Sequence, residues 1–217
     1  MSTTEQDNLR AAICAGANSL HAAGLAPGKS GNVSVRLDEG LLITPSGVPY
    51  PAMRPEDIVG VDAAGRWRPG QHRPSTELPL HRAIYAARPE VRAVVHTHSP
   101  HATALSCARR GLPAFHYMIA VAGGPDVRCS DYATFGSEQL ATLALRALEG
   151  RKAALLANHG VVALGADLAE ALAIAAEIEN LARQYLLLLA ARLEPVVLDA
   201  AEMQRVQAQF ADYGRPQ

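Results

Sequence analysis

The fold of this chain is decided by residues 91–105, VRAVVHTHSPHATAL, where an apolar run ends in paired histidines and a proline follows. We predict a strand over 91–97 and a helix over 100–109. A β-strand presents residues i and i+2 on the same face, so His96 and His98 can point at one metal ion. Buried imidazole nitrogens need partners, and a metal ion would supply them.

A third histidine follows a second apolar run of the same kind. Residues 153–164 have the sequence AALLANHGVVAL, in which His159 follows the run. If this segment is a strand too, His159 can bring a third nitrogen, and Glu77 in PSTELPLHR can add a carboxylate. Three histidines and one carboxylate without cysteine are more typical of a catalytic Zn²⁺ site than of a closed structural one. His101 is a weaker candidate, because a helix starting at Pro100 would turn it off the strand face.

The composition is that of a globular protein with little net charge. Of 217 residues 49% are apolar, and the formal net charge is −1. Charges of both signs are interspersed, so nothing points to nucleic acid or to an anionic membrane as a partner. The three cysteines have no metal-like spacing, and their odd number fits a reducing cytoplasm. The N-terminus has no signal-peptide pattern and the apolar stretch at 181–193 is interrupted by charges, so we expect a cytoplasmic protein without a membrane span.

Strand-like and helix-like segments alternate along the whole chain. Gly40 is placed to join two short strands into a hairpin, which favours antiparallel pairing. We predict one α/β domain over 1–217, a three-layer α/β/α arrangement with a central mixed, mainly antiparallel sheet. The remaining predicted elements are strands over 32–36, 41–44, 58–61, 153–157 and 161–164, a short strand around Trp67, and helices over 7–24, 77–87, 136–148, 167–193 and 199–210.

Three short polar loops have a composition suited to anions. They are GKSGN at 28–32, TPSG at 44–47 and PST at 74–76. Glycines expose backbone N–H groups, hydroxyls add donors, and Lys29 could add a positive charge. Each loop alone is an ordinary turn, and none is a Walker or dinucleotide fingerprint. They can hold a phosphate group only if the fold brings them together.

Taken together, these motifs resemble the zinc-dependent class II aldolase/adducin family, and within it the branch that acts on L-fuculose 1-phosphate. The similarity extends over most of the chain, in the family's order. It rests on GNVSVR at 31–36, LLITPSGVPY at 41–50, PSTE at 74–77, HTH at 96–98, FHYMIAVAGG at 115–124, YATFG at 132–136 and NHGVVA at 158–163.

The resemblance implies a metal centre and a base. His96, His98 and His159 would bind Zn²⁺. Glu77 would bind the metal when the site is empty and act as a base once substrate displaces it. Tyr117 would reach into a neighbouring subunit's site and handle the proton on the aldehyde side. The family is typically a cyclic homotetramer with its sites between subunits, so the resemblance implies the same assembly here.

The resemblance also implies two binding pockets. A phosphate pocket would be formed by Asn32, Ser46, Gly47, Ser75 and Thr76, and an aldehyde pocket by Phe135, Phe210 and Tyr213. The sequence departs from the family at Lys29, where a small hydroxyl residue is expected. A lysine at this position would still favour an anion.

The implied reaction is retro-aldol cleavage of a ketose 1-phosphate to dihydroxyacetone phosphate and a small aldehyde. The substrate would be L-fuculose 1-phosphate or a 5-deoxypentulose 1-phosphate analogue, including a methylthio analogue. A Lewis-acidic metal would stabilise the negative charge of the enediolate, so no Schiff-base lysine is needed. The chain has only two lysines, Lys29 and Lys152, and neither lies in an apolar strand suited to that role.

Other functions remain open at this point. A ribulose-phosphate 4-epimerase would break and remake the same bond, but the epimerase pattern has Asp where this chain has Glu77 and lacks a stretch like FHYMIAVAGG. A dehydratase or decarboxylase acting on a related sugar phosphate is a second alternative. A metal-free scaffold like adducin is a third, although this chain keeps all three histidines.

Overall fold

The computed structural model describes residues 3–212, and the strands among these residues join in one sheet. The strands are β1 (Asn32–Leu37), β2 (Gly40–Ile43), β3 (Val59–Val61), β4 (Ala93–Thr97), β5 (Arg128–Cys129), β6 (Ala153–Leu156) and β7 (Gly160–Gly165). Their spatial order is β3-β2-β1-β4-β7-β6-β5. All neighbouring pairs are antiparallel except β5 with β6, which is parallel. This is the mixed, mainly antiparallel sheet that the hairpin pattern predicts.

Both faces of the sheet are buried because apolar residues occupy both sides of each central strand. Val94 packs in the core on one face, and its neighbour Val95 packs on the other. The same alternation places Val162 and Ala163 on opposite faces of β7. Continuous apolar runs, rather than alternating ones, are expected of strands that helices cover on both sides.

Helices form the two outer layers. They are α1 (Thr3–Ala22), α2 (Leu78–Ala87), α3 (Pro100–Cys107), α4 (Glu138–Ala147), α5 (Leu168–Ala190) and α6 (Ala200–Asp212). Buried residues of α1, α3, α5 and α6 join the core on the Val95 face, whereas those of α2 and α4 join the core on the Val94 face. The α/β/α arrangement agrees with the prediction.

Sequence signals place most helix starts correctly because the caps are local. Ser137 accepts a hydrogen bond from the N–H of Leu140, and Asp167 accepts one from the N–H of Glu170. Asp199 likewise accepts from the N–H of Glu202, at the predicted start of α6. A capping side chain and its target lie three residues apart, so sequence alone can identify the pair.

Several predicted boundaries are wrong. Trp67 makes one isolated bridge with Val61 instead of a strand. The helix α5 ends at Ala190, short of residue 193. The predictions also missed β5 and three short 3-10 helices, Tyr50–Ala52, Pro55–Asp57 and Tyr117–Ala122. These elements are only two to six residues long and depend on tertiary contacts, so their local pattern is weak. Among the described residues, no helix combines the length and apolar character needed to cross a membrane.

Candidate active site

His96 and His98 converge at the end of β4, but not as two members of one strand. His96 lies inside β4 and is fully buried, whereas His98 follows the last strand residue and is partly exposed. The two Nε2 atoms are nevertheless 3.0 Å apart. The two imidazoles therefore converge, although His98 comes from the segment between β4 and α3 and not from the strand.

His159 lies in the turn between β6 and β7, in the gap between the two strands predicted at 153–157 and 161–164. Asn158 precedes it with a φ of 55°, a left-handed conformation that asparagine tolerates better than most residues. The N–H of Asn158 donates to the carbonyl of Ser106, 3.0 Å away, which fastens the turn to α3. The ring centroid of His159 lies 4.8 Å from that of His96 and 4.9 Å from that of His98.

Gly160 permits this close approach of the three imidazoles. A Cβ atom at this position would collide with the carbonyl oxygen of Thr97. It would also lie 3.1 Å from Cδ2 of His98 and 3.3 Å from Cε1 of His96. The glycine of the N-H-G motif is therefore required because backbone passes directly over the histidine pair.

Glu77 brings a carboxylate to the histidines from the start of α2. It is 4% exposed, its Oε2 lies 3.0 Å from Nε2 of His96, and its Oε1 lies 3.1 Å from Nε2 of His159. Three histidine nitrogens, one from each ring, lie within 4.8 Å of one another beside it. The four residues predicted as metal ligands thus come together from three separate parts of the chain.

The hydrogen bonds around His96 indicate that a cation belongs in this cluster. Nδ1 of His96 lies 2.9 Å from the carbonyl oxygen of Val161, which can only accept. A neutral His96 must therefore carry its proton on Nδ1 and have a bare lone pair on Nε2. That lone pair faces Oε2 of Glu77, another acceptor. A metal ion would bind both, and an imidazole that donates its other N–H to a carbonyl is the usual form of a metal ligand.

The pKa values favour the protonation states that bind metal. Burial lowers the pKa of His96 to about 4, although the charge of Glu77 acts in the opposite direction. Burial also lowers the pKa of His98. For Glu77, burial raises the pKa, but His96, His159 and the hydrogen bond from Asn32 outweigh it, so the pKa lies below its ordinary value. Neutral imidazoles and an ionised carboxylate are the ligand forms that a divalent metal requires.

The polar loops line the same cavity as the cluster. This cavity has a volume of about 360 Å³, and Lys29, Asn32, Ser46, Gly47, Ser75 and Thr76 line it together with His96, His98, His159 and Glu77. The loops converge because the N–H of Ser46 bonds to the carbonyl of Arg73, and the N–H of Ser75 to that of Thr44. These links place hydroxyls, glycine N–H groups and a lysine beside the candidate metal ligands.

The aromatic residues divide into two groups. Phe135, which is 64% exposed, lines the cavity of its own chain. Tyr117 does not line that cavity; it is 51% exposed and stacks on His116 with ring centroids 4.8 Å apart. Phe210 stacks on Tyr117 at 6.4 Å. Tyr213 lies outside the described residues. Tyr117 and Phe210 therefore form a pair on the surface of the protein.

Several neighbours of the site were not predicted. Tyr132, Ala133 and Asn158 line the cavity, and all three belong to motifs on which the family resemblance rests, YATFG and NHGVVA. His81, on α2, bonds to Asn32. His101 lies elsewhere, as expected from its helix position, because its Nδ1 pairs with Glu179 at 2.7 Å.

The sheet, its two helical layers and the histidine–carboxylate cluster define an α/β protein with a candidate metal centre. A model of the class II aldolase and adducin N-terminal domain family matches residues 11–186. The chain belongs to this family of class II aldolases.

Relatives within the family agree with the fold and the enzyme class. The chain is 50% identical to the 5-methylthioribulose-1-phosphate/5-deoxyribulose-1-phosphate aldolase of Rhodospirillum rubrum, over 95% of this chain and 92% of that protein. It is 45% identical to the L-fuculose phosphate aldolase of Escherichia coli K12, over 88% of each. A solved structure of an L-fuculose 1-phosphate aldolase matches with a TM-score of 0.91 at 38% identity, covering 97% of this chain and 98% of that one.

Proposed function

We propose that this chain is a zinc-dependent aldolase that cleaves a ketose 1-phosphate to dihydroxyacetone phosphate and a small aldehyde. One observation carries the proposal: four candidate metal ligands and three anion-binding loops line a single cavity of about 360 Å³. Its relatives include aldolases named for L-fuculose phosphate and for 5-deoxyribulose and 5-methylthioribulose 1-phosphates.

The aldehyde end of the substrate is proposed to be small and apolar. Phe135 and Tyr132 are 64% and 51% exposed, and both line the cavity. Aromatic surface left open at a polar cavity suits a methyl or methylthio group better than a second charged one. L-fuculose 1-phosphate and the 5-deoxypentulose 1-phosphates, including the methylthio analogue, all meet this requirement.

In the proposed mechanism each residue of the cavity has one task. His96, His98 and His159 hold Zn²⁺, which when bound would act as a Lewis acid toward the substrate's oxygens. Glu77, ionised in the free site, takes up a proton from solvent and delivers it to the enediolate carbon after the C–C bond has broken; in the reverse condensation it removes that proton as a general base. The phosphate group lies against Ser46, Gly47, Ser75 and Thr76, with Asn32 and Lys29 beside it.

The proton on the aldehyde side is assigned to Tyr117 of a neighbouring subunit. Tyr117 is half-exposed and lies outside its own chain's cavity, so this residue would serve the cavity of another copy. We propose a homotetramer with sites between subunits, in which Phe210 and Tyr213 accompany Tyr117 into the aldehyde pocket. The stacking of Phe210 on Tyr117 supports this grouping.

Two further proposals concern the chain as a whole. We propose that residues 1–217 act as one domain, since all the described strands belong to one sheet. We also propose that the protein acts in the cytoplasm. Its three cysteines are free, which suits a reducing compartment.

The experiment is a screen of zinc-loaded protein against ketose 1-phosphates with different terminal groups. Released dihydroxyacetone phosphate is measured with a coupled dehydrogenase, and bound metal is measured by elemental analysis. We expect release from at least one 5- or 6-deoxy ketose phosphate and none from chelator-treated protein. Interconversion of pentulose 5-phosphates without release of a triose would overturn the proposal in favour of the epimerase reaction.

A further inference from the structure

A line of buried polar side chains leads away from Glu77 into the core between α2 and the sheet. Nδ2 of Asn32 donates to Oε2 of Glu77 over 3.2 Å, and Oδ1 of Asn32 bonds to Nε2 of His81. Nδ1 of His81 lies 2.6 Å from Oγ of Ser34, which lies 2.8 Å from the hydroxyl of Tyr85. The proposed mechanism has no use for the last three residues.

Secondary structure explains why these groups meet. Glu77 and His81 are four residues apart at the start of α2, so they face the same side of the helix. Asn32 and Ser34 are two residues apart in β1, so they face the same side of the sheet. The imidazole of His81 lies between the two strand residues and is 0% exposed.

The direction of each hydrogen bond can be assigned. The ring of His81 is 0% exposed and its two nitrogens face only a hydroxyl and an amide oxygen, with no carboxylate bonded to either nitrogen to balance a charge, so the ring is neutral and has one N–H. The amide oxygen of Asn32 can only accept, so this N–H is on Nε2. Nδ1 then accepts from the hydroxyl of Ser34, and Ser34 in turn accepts from Tyr85. Every donor in the line therefore points toward Glu77.

We propose that His81 is a positioning residue that fixes the side-chain amide of Asn32 with its NH₂ group toward Glu77. This inference rests on the proposed role of Glu77 as the base. If the amide turned over, its oxygen would face the ionised carboxylate, and two acceptors would meet in a buried site. The second hydrogen of the same NH₂ group is free for the cavity that Asn32 lines. His81 thereby sets the contacts of both the carboxylate and the substrate pocket.

The test compares two amide substitutions of similar chemistry. In His81→Gln the amide nitrogen can take the place of Nε2 and still donate to Asn32, whereas in His81→Asn the side chain is too short to reach it. We expect kcat to fall by about ten- to a hundredfold in His81→Asn, as for a misplaced catalytic group, and by no more than about threefold in His81→Gln. Equal kcat values for the two variants would overturn the proposal.

Loss of stability needs its own control, because both substitutions disturb a buried site. Ile84→Val on the same helix removes one methyl group from a fully buried residue outside the polar line. It should lower the melting temperature without lowering kcat. If kcat instead follows the melting temperature through all three variants, the role of His81 is structural only and the proposal fails.

A double-mutant cycle tests whether His81 acts through Asn32. In an Asn32→Ala background the amide is gone, so adding His81→Asn should leave kcat unchanged within about twofold. A further loss as large as in the native background would refute the assigned route. Glu77→Gln separates failure of the proposed base from failure of the proposed role of His81. If Glu77→Gln keeps its rate, the assignment of Glu77 as the base is wrong. If Glu77→Gln is inactive, the result of the double-mutant cycle tests the role of His81 alone.

A spectroscopic measurement checks the hydrogen-bond direction without any assay. Protein labelled with ¹⁵N-histidine should give a His81 ring whose Nε2 is protonated and whose Nδ1 is bare. The signal of His81 is assigned as the one that is missing from the spectrum of the His81→Gln variant. A His81 ring protonated at Nδ1 would reverse the line and overturn the proposal.

Discussion

Substitution of Glu77 by glutamine tests the proposed base with little change in shape. In the native protein, Oε2 of Glu77 lies 3.2 Å from Nδ2 of Asn32, and Oε1 lies 3.1 Å from Nε2 of His159. In the variant, the amide oxygen can take the place of Oε2 and accept from Asn32, while the amide nitrogen takes the place of Oε1 and faces His159. The three histidine ligands are unchanged. The variant should therefore fold and keep most of its zinc while it loses the group that moves the carbon-bound proton.

The expected loss of activity is large. General base catalysis contributes about a hundred- to ten-thousandfold, equivalent to roughly 3–5 kcal/mol in the activation free energy. Native Glu77 is a strong test case because its depressed pKa keeps it ionised throughout the neutral range. We expect kcat of Glu77→Gln to fall by about a hundred- to ten-thousandfold, while its zinc content stays above half of the native value.

Glu179→Gln provides a matched control. Glu179 is a second buried carboxylate, 8% exposed, that accepts from the N–H groups of His101 and Ala102 at the start of α3. The same chemical change there removes a buried charge but touches no residue of the cavity. Both variants are assayed by release of dihydroxyacetone phosphate and by elemental analysis for zinc. A Glu77→Gln enzyme that works at close to the native rate, or whose loss of activity is no larger than that of Glu179→Gln, would refute the assignment.

Three further predictions follow from the same geometry. His98→Ala should lose most of its bound zinc, and full occupancy measured by elemental analysis would contradict the ligand set. When subunits of the two inactive variants His96→Ala and Tyr117→Phe are exchanged into mixed oligomers, part of the activity should return, because some sites then combine an intact zinc site with an intact Tyr117. Mixed oligomers that form but remain inactive would show that Tyr117 does not act in the site of a neighbouring subunit. The folded pKa of His81, about 3, lies below the unfolded value of about 6.5, so acidification protonates only the unfolded chain. The free energy of unfolding should therefore fall by roughly 2 kcal/mol more from pH 7 to pH 5 in the native protein than in His81→Gln, as measured by urea denaturation; equal falls would contradict the neutral burial.

The sequence by itself determined the local structure of this protein and the kind of chemistry at its site. The strand at 93–97, the hairpin around Gly40 and the caps at Asp167 and Asp199 follow from patterns only a few residues long. The residue types also favoured a histidine–carboxylate metal centre, and the spacing of His96 and His98 placed two imidazoles together. Such signals survive in sequence because they depend on neighbours along the chain.

Tertiary structure alone decided which distant groups meet. Glu77 reaches His159 across 82 residues of chain because α2 packs on the face of the sheet that His96 occupies. The need for Gly160 beside the imidazoles depends on the register of β4 with β7, where His96 pairs with Val162. Nothing in the sequence distinguishes His81 from any other histidine on a helix. Its role depends on the packing of α2 on β1, which places Asn32 against its ring. Register and helix packing result from burying both faces of the sheet at once, and no local window of sequence contains that information.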